Sequence, residues 1–145
     1  MILQFILAMI ATSSFAVLYC VPKDQFLFSS LTGALGWISY LVFCELGCGV
    51  VMASLLATFF LTIISRFFAA LRKNPATLYL VTGIFTLVPG AGIYYTSYYF
   101  IMDDMASFAA KGTETFKIAG AITVGIIFGF SIPQKVFRFL QQWFL

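Results

Sequence analysis

The chain contains no histidine and few charged residues, and these shortages exclude several classes of protein. Charged residues make up 9% of the 145 residues, against roughly 25% in an ordinary soluble domain. Enzymes that act within membranes usually cluster titratable side chains, because proton transfer and metal binding need such groups held close together. The five acidic residues all fall near the ends of predicted helices. We therefore expect neither an enzyme nor a bound cofactor or metal.

Cysteine is nearly as sparse, and its pattern predicts no cross-link. The chain has three cysteines, an odd number, and all of them lie in apolar stretches: Cys20, Cys44 and Cys48. Cysteines in such a context are usually small buried hydrophobic residues. We predict neither a disulfide nor a cysteine metal site.

What the chain has in abundance is apolar sequence. Hydrophobic residues make up 62%, the mean hydropathy is +1.04, and uncharged runs cover residues 1–22, 25–44, 46–65, 74–102 and 118–134. A membrane-spanning helix needs about 20 apolar residues. The sequence predicts one all-α integral membrane domain over residues 1–145, with about five helices at residues 2–21, 26–44, 47–68, 76–102 and 115–134. Residues 135–145 combine basic and aromatic side chains, which predicts an amphipathic tail at the membrane interface.

The fourth predicted helix contains a helix breaker. Pro89 is followed by Gly90 and Gly92 in the middle of an uncharged run. Proline removes a backbone donor, and backbone groups freed inside a membrane must find partners in protein or in a polar guest. We predict an interruption at Pro89-Gly90 that lines a substrate path. Tyr94 and Tyr95 follow the break and are candidates to flank that path, because buried hydroxyls need partners.

Two charged residues border the predicted spans. Glu45 is the acid closest to the hydrocarbon, and intramembrane carboxylates often have functional roles. Its place before a glycine-rich turn favours a water-facing turn cap instead. Arg66 ends the third uncharged run, where it can anchor the helix at the interface or meet an anionic substrate. Both residues are candidates for a charge role.

Small residues recur at helical spacing in two of the predicted helices. Gly33 and Gly36 are one turn apart, and Ala121, Gly125 and Gly129 recur every four residues. Such spacing lets membrane helices approach closely. It predicts helix packing within the chain or, in a sharper interpretation, an interface with a partner or an oligomer.

The basic residues predict the orientation. Six of the eight fall on one predicted side, namely Lys23, Arg66, Arg72, Lys73, Lys135 and Arg138. The positive-inside rule makes that side cytoplasmic, with the N-terminus outside, the C-terminus inside and an external loop at residues 102–115. The net charge of +3 reflects this asymmetry, so the expected partner is the lipid bilayer and not nucleic acid.

Several motifs together resemble one known family, the threonine/serine exporters, and in particular their smaller C-terminal half. The motifs are Val21-Pro22-Lys23, Gly33-Ala34-Leu35-Gly36-Trp37, Ala53-Ser54-Leu55-Leu56-Ala57, Leu87-Val88-Pro89-Gly90-Ala91-Gly92-Ile93-Tyr94 and Gly112-Thr113-Glu114-Thr115. In many bacteria this half is a separate short chain of the inner membrane.

The resemblance implies the small subunit of a two-component secondary transporter that exports small amino acids such as threonine and serine. Some two-chain relatives export dicarboxylates such as succinate, which is the first alternative. A structural or assembly subunit with no path of its own is the second. The implied partner is a larger membrane subunit, and the half-helix beginning near Gly92 suits a substrate carboxylate.

Overall fold

The computed structural model describes residues 1–134, and these residues form six α-helices and one short 3₁₀ turn. In chain order the elements are α1 (Ile2–Leu18), the 3₁₀ turn (Lys23–Gln25), α2 (Phe26–Glu45), α3 (Val50–Arg72), α4 (Ala76–Ile84), α5 (Gly90–Ile101) and α6 (Met105–Ser131). The predicted tail at residues 135–145 lies outside the described residues.

Three segments of the described chain are long and apolar enough to cross a membrane. They are Lys23–Glu45, Val50–Arg72 and Met105–Ser131, while Ile2–Leu18 is a shorter apolar helix. The all-α, membrane-type architecture predicted from the sequence is therefore confirmed. The count of five spans stays a prediction.

The helices pack around α2 and α3. α2 contacts α1, α3 and α4, while α3 contacts α4 and α6 as well. A cluster of buried apolar side chains joins α3, α4, the segment after α4 and α6, and it is made of Ala57, Leu61, Leu80, Leu87, Ile118 and Ile122. α5 differs from the other helices, because among the described elements it contacts α6 alone.

Glycines mark the closest approaches of α2 to its neighbours. A Cβ atom on Gly33 would overlap the side chain of Thr12 in α1, and one on Gly36 would overlap Leu61 in α3. Larger residues at these positions would force the helices apart, so small size here sets the spacing of the bundle.

The small residues of α6 face α3. A Cβ atom on Gly125 would lie 2.7 Å from the carbonyl oxygen of Leu55, and one on Gly129 would lie 2.5 Å from Thr62 Cβ. Ala121 is also buried. Both glycines therefore let the backbone of α6 lie directly against α3.

The stretch at residues 76–102, predicted as a helix interrupted at Pro89-Gly90, consists of two helices in the structure. α4 ends at Ile84, and α5 begins at Gly90. Between them the Gly90 N–H donates to the Val88 carbonyl at 2.7 Å, and Pro89 has φ −76° and ψ 61°. These values describe an inverse γ-turn centred on proline, which separates the two helices.

α6 begins at Met105 instead of the predicted residue 115, so much of the predicted external loop is helical. Asp104 caps this earlier start, because its side chain accepts a hydrogen bond from the Ser107 N–H at 3.1 Å. An i,i+3 pair joins Lys111 to Glu114 within the added turns. Capping and local charge pairing extend the helix beyond the apolar run on which its prediction was based.

A buried polar cluster fixes the start of α4. The Tyr79 hydroxyl donates to Gln25 Oε1 at 2.7 Å, and Arg72 Nε donates to the same oxygen at 3.2 Å. Arg72 also pairs with Asp24 at 3.7 Å. Because Tyr79 is fully buried, this cluster ties the first turns of α4 to the connection between α1 and α2.

Candidate functional site

A cavity of about 280 Å³ lies beside the break between α4 and α5. This is slightly below the range of pockets for drug-sized ligands, so the cavity suits a small molecule. Four parts of the chain line it: Trp37 and Tyr40 of α2, Val50 and Ser54 of α3, residues 86–92 of the break, and Lys111, Glu114, Thr115 and Ile118 of α6.

The cavity is close to one end of the bundle. Val50 is the first residue of α3, and Tyr40 is in the last turns of α2. The break beside them therefore lies toward the end at which α2 finishes and α3 starts, and not halfway along the bundle. In the predicted orientation this is the external end.

The first turn of α5 supplies backbone donors to the cavity. The first N–H groups of a helix have no acceptor within the helix. Here the Gly90 N–H bonds to Val88 and the Ile93 N–H bonds to Pro89 at 3.0 Å. The N–H groups of Ala91 and Gly92 have no backbone acceptor among the described residues. Together with the helix dipole, these donors favour an anionic group.

One positive and one negative side chain from α6 line the same cavity. Lys111 Nζ lies 2.7 Å from Glu114 Oε2, and the two side chains are 36% and 44% exposed. An ion pair this exposed is screened by solvent and contributes little to stability. A charged ligand can therefore separate the two groups at little cost.

Three hydroxyl side chains in the wall already donate hydrogen bonds to helix carbonyls. Ser54 donates to Val50, Thr86 to Gly83 and Thr115 to Lys111, each at 2.8 Å. Their remaining lone pairs can accept hydrogen bonds from a ligand.

The aromatic part of the wall comes from α2. The rings of Trp37 and Tyr40 are stacked, with centroids 5.4 Å apart. The cavity wall thus combines aromatic rings with hydroxyl oxygens that can accept hydrogen bonds.

The structure places the five predicted path residues in two groups. Pro89, Gly90 and Gly92 line the cavity. Tyr94 and Tyr95 do not line it, because they lie on the outer surface of α5 with 62% and 47% of their area exposed. Their rings contact each other at 5.3 Å. Of the predicted path residues, only those of the break itself therefore line the cavity.

The two candidate charged residues lie elsewhere. Glu45 is exposed at the end of α2 and does not line the cavity. Arg66 is buried, and its Nη1 donates to the carbonyls of Gly129, Phe130 and Ile132 at 2.7, 3.2 and 2.6 Å. Arg66 therefore caps the C-terminal end of α6.

Sequence reasoning did not select Lys111 or Glu114 as site residues, because it assigned them to an external loop. The signal that could have identified them is their spacing of three residues, which places opposite charges together on one helix face. The wall residues of α2 and α3 carry no comparable signal, since only tertiary packing brings them to the break.

A family model described as "Threonine/Serine exporter, ThrE" matches residues 4–132. No curated protein and no solved structure matches the chain.

Proposed function

This chain belongs to the threonine/serine exporter family, and on that basis we propose that it binds threonine or serine in the cavity beside the α4–α5 break during export. Membership supports a membrane transport role. The choice of solute and of binding site is our proposal.

The observation that carries the proposal is the pair of opposite charges in the cavity wall. Lys111 and Glu114 provide one cation and one anion, which complements an amino-acid zwitterion. A dicarboxylate such as succinate has two negative charges, so Glu114 would repel one of them. The charge pattern therefore favours a small amino acid over a dicarboxylate.

A specific binding arrangement follows from these groups. The solute carboxylate accepts hydrogen bonds from the Ala91 and Gly92 N–H groups and from Lys111. The solute ammonium group pairs with Glu114. The hydroxyl of threonine or serine donates to an acceptor lone pair in the wall, for which Ser54 is suitably placed. Binding replaces the Lys111–Glu114 pair by two solute contacts, so no charge is left without a partner.

The test is threonine efflux from the native host carrying single variants in place of its own gene. We expect Lys111→Gln and Glu114→Gln to lower threonine export about tenfold or more, the effect of losing one charge-assisted hydrogen bond. Lys117→Gln and Glu45→Gln are matched controls, because both residues are exposed and outside the cavity.

Normal export by both cavity variants at normal protein levels would contradict this site. It would favour the alternative of a structural or assembly subunit whose partner contains the path. Improved succinate export by Glu114→Gln, with wild-type succinate export already above threonine export, would favour the dicarboxylate alternative.

We also propose that a second, larger membrane subunit completes the transporter. Support comes from α5, which has no buried residue and contacts only α6 among the described elements. Export by the purified chain alone in liposomes would contradict this proposal.

The proposed location is the bacterial inner membrane, crossed several times, with the N-terminus outside and the C-terminus in the cytoplasm. The six-to-two distribution of basic residues supports this orientation. A cysteine introduced at Lys73 should react only with reagent on the cytoplasmic side. Reaction only from outside would reverse the orientation.

A further inference from the structure

α3 and α6 meet along a line of small and hydroxyl-bearing residues that begins at the cavity. We call this contact the α3–α6 seam, and its members are Ser54, Thr58 and Thr62 of α3 with Ala121, Gly125 and Gly129 of α6. All six are buried. Hydroxyl groups thus recur every helical turn on the α3 side of this contact, opposite small residues of α6.

The seam joins the cavity to the opposite end of the bundle. Ser54 lines the cavity at one end, and Arg66 holds the final carbonyls of α6 at the other. A helix rises about 1.5 Å per residue, so the two positions are separated by roughly 18 Å along α3. This distance is more than half of the roughly 30 Å hydrocarbon layer of a membrane.

The seam is closed in this structure. A Cβ atom on Gly125 would come within 3.0 Å of Thr58 Cβ, and one on Gly129 would come within 2.5 Å of Thr62 Cβ. No solute could pass between helices in such contact, so any passage here requires α6 to move away from α3.

Within residues 1–134, Thr58 of α3 and Ser29 of α2 each have a buried hydroxyl group that makes no hydrogen bond, and of the two only Thr58 lies in the seam. Its side chain is fully buried, yet Oγ1 makes no hydrogen bond to the described residues. Ser54 and Thr62, one turn away on either side, donate to Val50 and Thr58 carbonyls at 2.8 Å. Leaving a buried hydroxyl unpaired is costly, and each such group in a folded protein requires an explanation.

We propose that the α3–α6 seam is a closed section of the solute route, and that Thr58 Oγ1 hydrogen-bonds the amino acid when the seam opens. The proposal rests on the proposed function, since it concerns the same solute on its way from the Arg66 end of the bundle to the same cavity. An amino-acid zwitterion that has lost its hydration shell would then meet successive hydrogen-bonding groups from Ser54, Thr58 and Thr62.

At the end of the seam away from the cavity, Arg66 holds α6 against α3 through hydrogen bonds that a solute can replace. Its bonds to the carbonyls of Gly129 and Ile132 are bonds to neutral acceptors. A carboxylate accepts a shorter and stronger hydrogen bond from guanidinium than a carbonyl does. An arriving solute carboxylate can therefore take the place of an α6 carbonyl, which favours separation of the two helices.

The first test is Thr58→Val, which keeps the shape of the side chain and removes the hydroxyl. A purely structural role predicts unchanged or higher thermal stability and normal export, because an unpaired buried hydroxyl is removed. Our proposal predicts the same stability result with threonine efflux lowered about tenfold, the loss of one solute hydrogen bond. Thr32→Val is the control for a fully buried threonine outside the seam, and it differs from Thr58 in that its hydroxyl donates to the Phe28 carbonyl at 2.7 Å. Export by this variant should stay normal even if its stability falls.

The second test measures whether water reaches the seam during transport. In a chain whose Cys20, Cys44 and Cys48 are replaced by alanine, Thr58→Cys is exposed to a membrane-impermeant thiol reagent. We expect labelling to rise at least about tenfold when threonine is supplied, as expected for a shift toward an open state. Thr32→Cys should stay unlabelled in both conditions.

The outcomes separate this proposal from the proposed function. Normal efflux by Thr58→Val and no threonine-dependent labelling of Thr58→Cys would overturn the seam as a route. If Lys111→Gln and Glu114→Gln still abolished efflux in that case, the binding site would stand. If those cavity variants were also normal, both proposals would fail.

Discussion

α4 and α5 come from one uncharged stretch of sequence, yet they have opposite positions in the fold. α4 buries Tyr79, Leu80, Thr82 and Gly83 among its nine residues, whereas none of the twelve residues of α5 is buried. α4 contacts α1, α2 and α3, while α5 contacts only α6 among the described elements. The break at residues 85–89 thus separates a helix that belongs to the bundle from one held along a single side.

This difference indicates that α4 mainly stabilises the fold and that α5 mainly forms part of the cavity. α4 contributes to the core through Leu80 and to the polar cluster through Tyr79. The first turn of α5 lines the cavity, and α5 is held in place by its contact with α6. Substitutions in α4 should therefore change the stability of the fold, and substitutions at the start of α5 should change transport.

The largest expected effect is on α4. Tyr79→Ala removes a fully buried aromatic side chain and its hydrogen bond to Gln25, and should lower the free energy of unfolding by about 3–5 kcal/mol. Tyr94→Ala, at an exposed position of α5, should change it by less than about 0.5 kcal/mol. Thermal unfolding in detergent measures both. Tyr79→Phe, which loses the hydroxyl only, should fall between them. Equal effects of the two alanine variants would remove the contrast between the helices.

The next effect concerns the two glycines at the start of α5. A Cβ atom on Gly92 would lie 2.5 Å from Thr115 Oγ1, whereas a Cβ atom on Gly90 meets nothing within 4 Å. Gly92→Ala should therefore displace α5 from α6 at a cost of about 1–3 kcal/mol and reduce threonine efflux. Gly90→Ala has room and should be neutral in stability. A Gly90→Ala variant less stable than Gly92→Ala would show that α5 is not seated on α6 through Gly92.

Sequence reasoning reached the parts of this molecule that depend on local patterns. Long apolar runs indicate membrane helices wherever they occur, and the motif around Pro89 indicated the family to which the chain belongs. Proline and glycine also direct attention to residues 88–92, because their backbone preferences are properties of the residues themselves.

The remaining features depend on contacts that no local pattern encodes. The early start of α6 depends on Asp104 and on a charge pair, which hydropathy treats only as an interruption. Whether Tyr94 faces a cavity or the outer surface depends on which side of α5 meets α6. The buried position of Arg66 depends on where α6 ends beside α3. Each of these needs the tertiary arrangement.

A smaller effect is expected at the break itself. Pro89 occupies the centre of the γ-turn with φ already at −76°, so it restricts the unfolded chain without straining the folded one. Pro89→Ala should lower the free energy of unfolding by only about 0.4–1 kcal/mol. Threonine efflux should fall more than this stability change explains, because the N–H groups of Ala91 and Gly92 are less firmly directed at the cavity. Full efflux would show that the turn only connects α4 to α5.

The smallest expected effect is a pH dependence at the turn between α5 and α6. Hydrogen bonds from the side chain and backbone N–H of Ser107 hold the pKa of Asp104 below its ordinary value. A carboxylate with a lowered folded-state pKa stabilises the fold above the unfolded-state pKa of about 3.9, and this contribution is lost as the pH falls through the folded-state pKa. The first turn of α6 should therefore loosen in acid while α4 stays protected. Amide exchange at Ser107, corrected for the intrinsic effect of pH, measures this.

The control is Asp104→Asn, which keeps a capping oxygen that cannot titrate. In this variant the corrected exchange rate at Ser107 should not change with pH. An equal acid response in Asp104→Asn would mean that another group controls this turn, and the cap would then not distinguish the α5–α6 hairpin from α4.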